Sequence, residues 1–191
     1  MSFLRYVSHP EVAIDPAVPV PSWGLNATGR ARTIAMLTQP WIGDVGRLIC
    51  SDEQKALDTA EIVGAHLGLA PEVRPRTHEN ERSGYLPPDE FEATAAQFFA
   101  HPTESIRGWE RAVDAQARIV EALRDVIDGD TDGDVMVVGH GGVGTLLQCW
   151  LAGLDIDARH DQPAAGNQFS YDRTRRHLVH GWAPIDGTPT D

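Results

Sequence analysis

Positive charge, cysteine and long apolar runs are all scarce in this chain, and each scarcity excludes something. Lysine and arginine number 16 against 28 acidic residues, a formal net charge of −12. A surface that negative argues against general nucleic-acid binding and against docking on anionic lipid. An anionic substrate must therefore find a local positive pocket. The only two cysteines, Cys50 and Cys149, each fall in an apolar run, one strand-like and one helix-like. They read as two buried thiols and not as a disulfide. No apolar stretch approaches the length of a membrane span, and Met1-Ser2-Phe3-Leu4-Arg5 turns polar too soon for a signal peptide. A cytoplasmic, enzyme-sized protein is the expectation. Motifs are missing too. There is no G-x-S-x-G elbow and no H-E-x-x-H pair, so the serine-hydrolase and zinc readings fail. No internal repeat or linker divides the chain. Its 191 residues, 41% of them hydrophobic, suffice for one core, so a single domain over 1–191 is expected.

What is present centres on Val135-Met136-Val137-Val138-Gly139-His140-Gly141-Gly142-Val143-Gly144. Four apolar residues, three of them β-branched, read as a short strand buried on both faces. Glycines then carry one polar side chain, His140, into the apolar helix-like run Thr145–Leu151. This places His140 at the carboxyl end of a strand, the edge where open α/β sheets bind ligands. Backbone N–H groups freed by the glycines suit an anion at a helix N-terminus. The same residues contain G-x-G-x-x-G, but a dinucleotide fingerprint also needs a second strand ending in an acid about 20 residues on. Asp155 and Asp157 follow a Gly-Leu turn with no strand between. Asp128 to Gly133 imitates half a calcium loop, yet position twelve is Gly139 where a bidentate Glu belongs, so a solvated turn is the better reading.

Along the chain, Phe3–Ser8 reads as a first strand stopped by His9-Pro10, followed by a proline-rich loop to Ser22. A helix is expected over Arg30–Leu37 with Ile34 and Leu37 on one face. A second strand, Arg47–Ser51, leads into an amphipathic helix from Asp52 to Val63, with Ser51 or Asp52 as N-cap. Glu72–Pro75 is a short strand and Thr77–Gly84 a polar turn. A helical excursion over about 85–108 follows Pro87-Pro88. Gly108–Val126 carries the longest helical periodicity, with Trp109, Val113, Ile119, Val120, Leu123 and Val126 in step. Two strands, Asn167–Tyr171 and His177–His180, precede a frayed tail. Alternating strands and helices indicate an α/β/α three-layer sandwich around a mostly parallel sheet.

His9 and His140 each terminate a core strand, and neighbouring strands would bring them together across one cleft. Lys55 sits in a first helical turn, where its charge opposes the helix dipole, so it is either solvated or held there for an anion. Glu79 and Glu81 flank Asn80 in the polar loop.

Taken in order over residues 3 to 171, these segments resemble the histidine phosphatase superfamily, the phosphoglycerate-mutase-like fold. The motif residues are Ser8-His9-Pro10, Trp23-x-Leu25-x-x-x-Gly29-Arg30-Ala31, Ser51 with Lys55-Ala56-Leu57-Asp58-Thr59-Ala60, the loop Thr77–Arg82, Gly108 with Arg118, and Gly139-His140-Gly141-Gly142. The resemblance implies phosphomonoester hydrolysis through a phosphohistidine on His9, with Glu79 as acid and base and His140 on the phosphoryl oxygens. It implies no metal or other cofactor, and a small phosphorylated substrate or inorganic phosphate as partner. Glu81 competes for the acid role. Substrate contacts are expected from Ser8, Lys55 and Gly141. In the family the first-strand residue is arginine and so is the helix residue. Here they are Ser8 and Lys55, and a lysine is a mobile point charge where arginine is a rigid fork. Arg5 and Arg82 are the candidate replacements. A non-catalytic phosphate-binding module and a mutase stay open as alternatives, as does the oligomeric state.

Overall fold

A computed structural model describes residues 2–82, 84–129 and 133–187. The calcium-like turn and the frayed tail thus fall partly or wholly outside the described residues. Six strands form one sheet in the order β3-β2-β4-β1-β5-β6: β1 (Phe3–Ser8), β2 (Val45–Cys50), β3 (Glu72–Val73), β4 (Asp134–Gly139), β5 (Asn167–Asp172) and β6 (His177–Pro184). The first four pair in parallel, and β5 runs antiparallel to both neighbours. Helices α1 (Ala27–Met36), α2 (Gln54–Leu67), α3 (Pro88–Ala100), α4 (Ala112–Ala122), α5 (Arg124–Asp128) and α6 (Gly141–Ala152) cover the faces.

The central strands carry the reason for this architecture. Every residue of β4 is buried. Val135 and Val137 join Leu4 and Tyr6 in one apolar cluster with α4 and α6. Met136 and Val138 join Val7, Leu48 and Cys50 in the other, with Met36 of α1 and Ala56, Ala60 and Val63 of α2. Alternate side chains of a strand point to opposite faces, so two cores on one sheet require helices on both sides. Each fully buried Val or Leu contributes about 1.5–3 kcal/mol. Cys50 and Cys149 are both free and buried.

Register then sets the site. Ser8 pairs with Gly139, and the His9 N–H donates to the Gly139 carbonyl at 3.0 Å. His9 and His140 therefore leave adjacent strands at the same edge. The Ser51 N–H donates to Val138 O at 3.0 Å, bringing the end of β2 beside them.

Some local expectations give way. The buried face of α1 is Gly29, Thr33 and Met36, and Ile34 is 57% exposed, because α1 lies on α2 through a narrow seam. The periodicity over 108–126 splits at Leu123 into α4 and α5, while Trp109 stays buried just ahead of α4. Helix α2 begins at Gln54 with Glu53 in the N-cap position and no side-chain cap.

Candidate active site

Helix α6 begins with two glycines, poor helix formers that are nonetheless held here. Tyr6 fixes the entry. Its hydroxyl donates to the His140 carbonyl and accepts from the His140 N–H, both at 3.1 Å. Glu79 fixes the first turn. Its carboxylate accepts from Gly142 N at 3.1 Å, Val143 N at 3.0 Å and Asn80 N at 3.0 Å. A carboxylate on an open helix N-terminus satisfies orphan donors and meets the positive end of the dipole. A Cβ at position 142 would stand 2.8 Å from Glu79 Oε1, so only glycine admits this contact without displacement.

The two imidazoles converge, with ring centroids 5.3 Å apart at 72°. His9 Nδ1 lies 2.8 Å from the Pro10 carbonyl. A carbonyl only accepts, so Nδ1 carries the proton and Nε2 keeps its lone pair. Burial, and then the charge of His140, lower the His9 pKa to about 3, favouring the neutral ring. His140 is fully buried, with Nε2 2.8 Å from Ser51 Oγ and 3.6 Å from Glu53 Oε1. Burial depresses its pKa against the pull of Glu53 and Glu79. Its Nδ1 has no partner among the described residues.

Lys55 reaches this group, but its ammonium is engaged by Glu53 Oε2 at 2.5 Å and by the Val20 carbonyl at 2.8 Å. Glu53 is the hub. Besides Lys55, it accepts from Glu79 N at 3.0 Å. Burial would raise its pKa, yet His140, Lys55 and that N–H hold it down at about 2. Glu79 behaves alike. Burial works against its charge, while His140, Arg82 and its N–H donors keep its pKa below the usual carboxylate range.

Three residues, Arg5, Ser8 and Glu81, stand differently from the sequence reading, and Arg82 does not. Arg5 is not at the site: it bonds Asp134 and Ser170, both at 2.9 Å, and lies over Phe3 and Trp41. Four residues of extended strand put it roughly 13 Å behind His9. Ser8 lies beneath the cleft. Its hydroxyl donates to Gln162 Oε1 at 2.5 Å and accepts from Asn167 N at 3.0 Å. Glu81 turns outward, 73% exposed, toward His78 at 3.6 Å. Arg82 does border the cleft, its guanidinium 4.9 Å over Phe91 and 5.5 Å over Trp109, with no ion pair among the described residues.

Glu53, Asn80 and Gln162 were not singled out from the sequence. Asn80 is buried beside Glu79 and its Nδ2 has no partner among the described residues. Gln162 lies against Gly141, where a Cβ would stand 2.1 Å from its Nε2. Asp161 anchors that loop by accepting from Thr145 Oγ1 at 2.7 Å and from Gln162 N at 2.8 Å. The oxygen of Gln162 is held by Ser8, its amide nitrogen lies against Gly141, and the residue lines the cavity that His9 also lines. No sequence motif marks Gln162. Farther back, Arg118 bonds the carbonyls of Arg76, His78 and Glu79 and pairs with Glu110, holding the loop that presents Glu79.

The family model of the histidine phosphatase superfamily (branch 1) matches residues 21–181. The chain belongs to the histidine phosphatase superfamily. No curated protein matches it. Among solved structures, mycobacterial glucosyl-3-phosphoglycerate phosphatase with inorganic phosphate is similar at 21% identity and TM-score 0.78, covering 97% of this chain and 99% of that one. A Bacillus stearothermophilus protein, YhfR, is 20% identical with TM-score 0.72, covering 98% of both chains. A phosphoserine phosphatase from Entamoeba histolytica, in complex with 3-phosphoglyceric acid, is 13% identical with TM-score 0.75, covering 96% of this chain and 98% of that one. At these identities the likeness establishes the fold alone. Within this superfamily member, no helix of the described residues is long and apolar enough to cross a membrane.

Proposed function

We propose that this chain is a metal-independent phosphomonoester hydrolase acting through a phosphohistidine on His9. The observation that carries the reading is the geometry of His9, its Nδ1 proton committed to the Pro10 carbonyl and its ring in contact with a second imidazole. His9 Nε2 attacks phosphorus, the N–P bond forms and the P–O bond to the alcohol breaks. The leaving oxygen takes a proton from the Glu79 carboxyl. Water then attacks the phosphohistidine, Glu79 accepts its proton, and inorganic phosphate leaves with His9 neutral again.

Glu79 is ionised in the free enzyme by the direction of its pKa. A phosphate dianion arriving beside it is a like charge that raises that pKa, so the acid is loaded as substrate binds. The equatorial oxygens are met by Arg82, Lys55 and the side-chain amides of Asn80 and Gln162. In this reading Gln162, held by Ser8, and Arg82 together replace the missing first-strand arginine. A second reading, phosphate binding without turnover, is favoured by one observation: the Lys55 ammonium is already paired with Glu53. Hydrolysis of an aryl phosphate, assayed with and without chelator and in His9→Ala, separates the two. Chelator-resistant turnover lost in His9→Ala is expected. Loss of turnover on chelation, or a His9→Ala variant as fast as wild type, would refute the mechanism.

A further inference from the structure

The geometry points to a substrate whose alcohol is apolar, seated in a cleft beside the phosphoryl site; this rests on the phosphatase reading above. The cleft has a volume of about 270 Å³ and is walled by Ile14, Val20, Trp23, Tyr85, Leu86 and Phe91. Arg82 is its charged lining residue, and Arg82 also borders the cavity of His9 and the one of Glu53 and Glu79. One residue, Arg82, thus borders all three spaces. An ester with phosphorus at His9 and its leaving oxygen at Glu79 projects its alcohol past Arg82.

The chemistry of that wall decides the class. The Trp23 Nε1–H donates to the carbonyls of Asp15 and Val18 at 2.9 and 3.0 Å, so its indole has no donor left for a ligand. The Tyr85 ring lies 5.7 Å from the Trp23 ring. The Ile14 side chain and Tyr85 stand 59% and 37% exposed, apolar surface left open at the rim. A polyhydroxylated alcohol would leave its hydroxyls facing carbon, which forfeits the water they gave up. An aromatic or branched alkyl group covers this surface instead.

The test uses esters of alcohols with similar acidity, so that chemistry is matched: ethyl phosphate and 2-phenylethyl phosphate, with 3-phosphoglycerate as the polar comparison. The expected kcat/KM for the phenylethyl ester exceeds both others by at least about tenfold, the scale set by one or more extra buried methylenes. In Ile14→Asp and in Tyr85→Asp the phenylethyl-to-ethyl ratio falls toward one. Both positions are exposed, so folding survives the change. Equal kcat/KM on the phenylethyl and ethyl esters, or a ratio that neither variant alters, overturns the inference while leaving the phosphatase reading intact. No turnover of any ester overturns both. A concentration-dependent dimer that Ile14→Asp dissociates would show a second copy in the cleft and would also overturn it.

Discussion

Glu79→Gln separates the two tasks assigned to one carboxylate. Its oxygens accept three backbone N–H bonds, two from the first turn of α6. The same group is the proposed proton donor to the leaving oxygen. A glutamine keeps one acceptor oxygen but turns an NH2 toward N–H donors that need an acceptor. Hydrogen bonds to a charged group contribute about 1.5–3 kcal/mol each, so losing one or two lowers stability by roughly 2–5 kcal/mol, seen as a Tm several degrees lower. The catalytic effect has a different signature. General acid catalysis contributes about 10²–10⁴-fold, and only where the departing alcohol needs a proton. Steady-state kcat is therefore measured on ethyl phosphate and on 4-nitrophenyl phosphate, at a temperature where the variant stays folded. The expected loss is at least about a hundredfold on the alkyl ester, and less than about tenfold on the nitrophenyl ester, whose phenolate leaves unaided. Equal losses on both esters would refute the acid role and leave Glu79 as a cap for α6.

The pH dependence follows from His9. Its pKa of about 3 lies below the ordinary imidazole range because the neutral form is favoured by burial, so the proposed nucleophile stays unprotonated as pH falls through neutrality. Nitrogen NMR of the ring should show the Nδ1–H tautomer down to about pH 5, and an ordinary imidazole titration there would contradict the site. Gln162→Ala should lower kcat/KM by about 10- to 100-fold, somewhat under the cost of a full oxyanion-hole donor, with Tm nearly unchanged because Ser8 Oγ retains the Asn167 carbonyl as acceptor at 3.2 Å; unchanged kinetics would remove Gln162 from the site. Arg118→Met strands the carboxylate of Glu110 and three loop carbonyls. Breaking such a buried pair costs about 3–5 kcal/mol, so both Tm and kcat should fall, and a stable, fully active variant would show that Arg118 does not position Glu79.

The sandwich was legible because the strand signals are clear: β1 is rich in aromatic and aliphatic residues and stopped by Pro10, and β4 is apolar, β-branched and stopped by glycines. The convergence of His9 and His140 followed from those strands being neighbours, which the register of Ser8 on Gly139 supplies. Other features depended on tertiary contacts that no local pattern encodes. Arg5 sits in the motif region yet points to Asp134, because a strand's length separates it from the ligand edge. Glu53 looked like an ordinary helix start, and its role as partner of Lys55 appears only once β2, α2 and β4 meet. Gln162 comes from a loop with no periodicity, placed by Asp161 and by the space over Gly141. The helical pattern over 108–126 hid a break at Leu123, since both pieces bury the same apolar face.

The most direct measurement is the covalent state of the enzyme during turnover. Enzyme mixed with excess phosphomonoester is quenched in alkaline denaturant, where a phosphoryl–nitrogen bond survives, and its peptides are mapped by mass. The expected result is one phosphoryl group on the peptide carrying His9, on the imidazole nitrogen, absent in His9→Ala. Rapid turnover with His9 unmodified, or the phosphoryl group on a serine such as Ser51, would contradict the account.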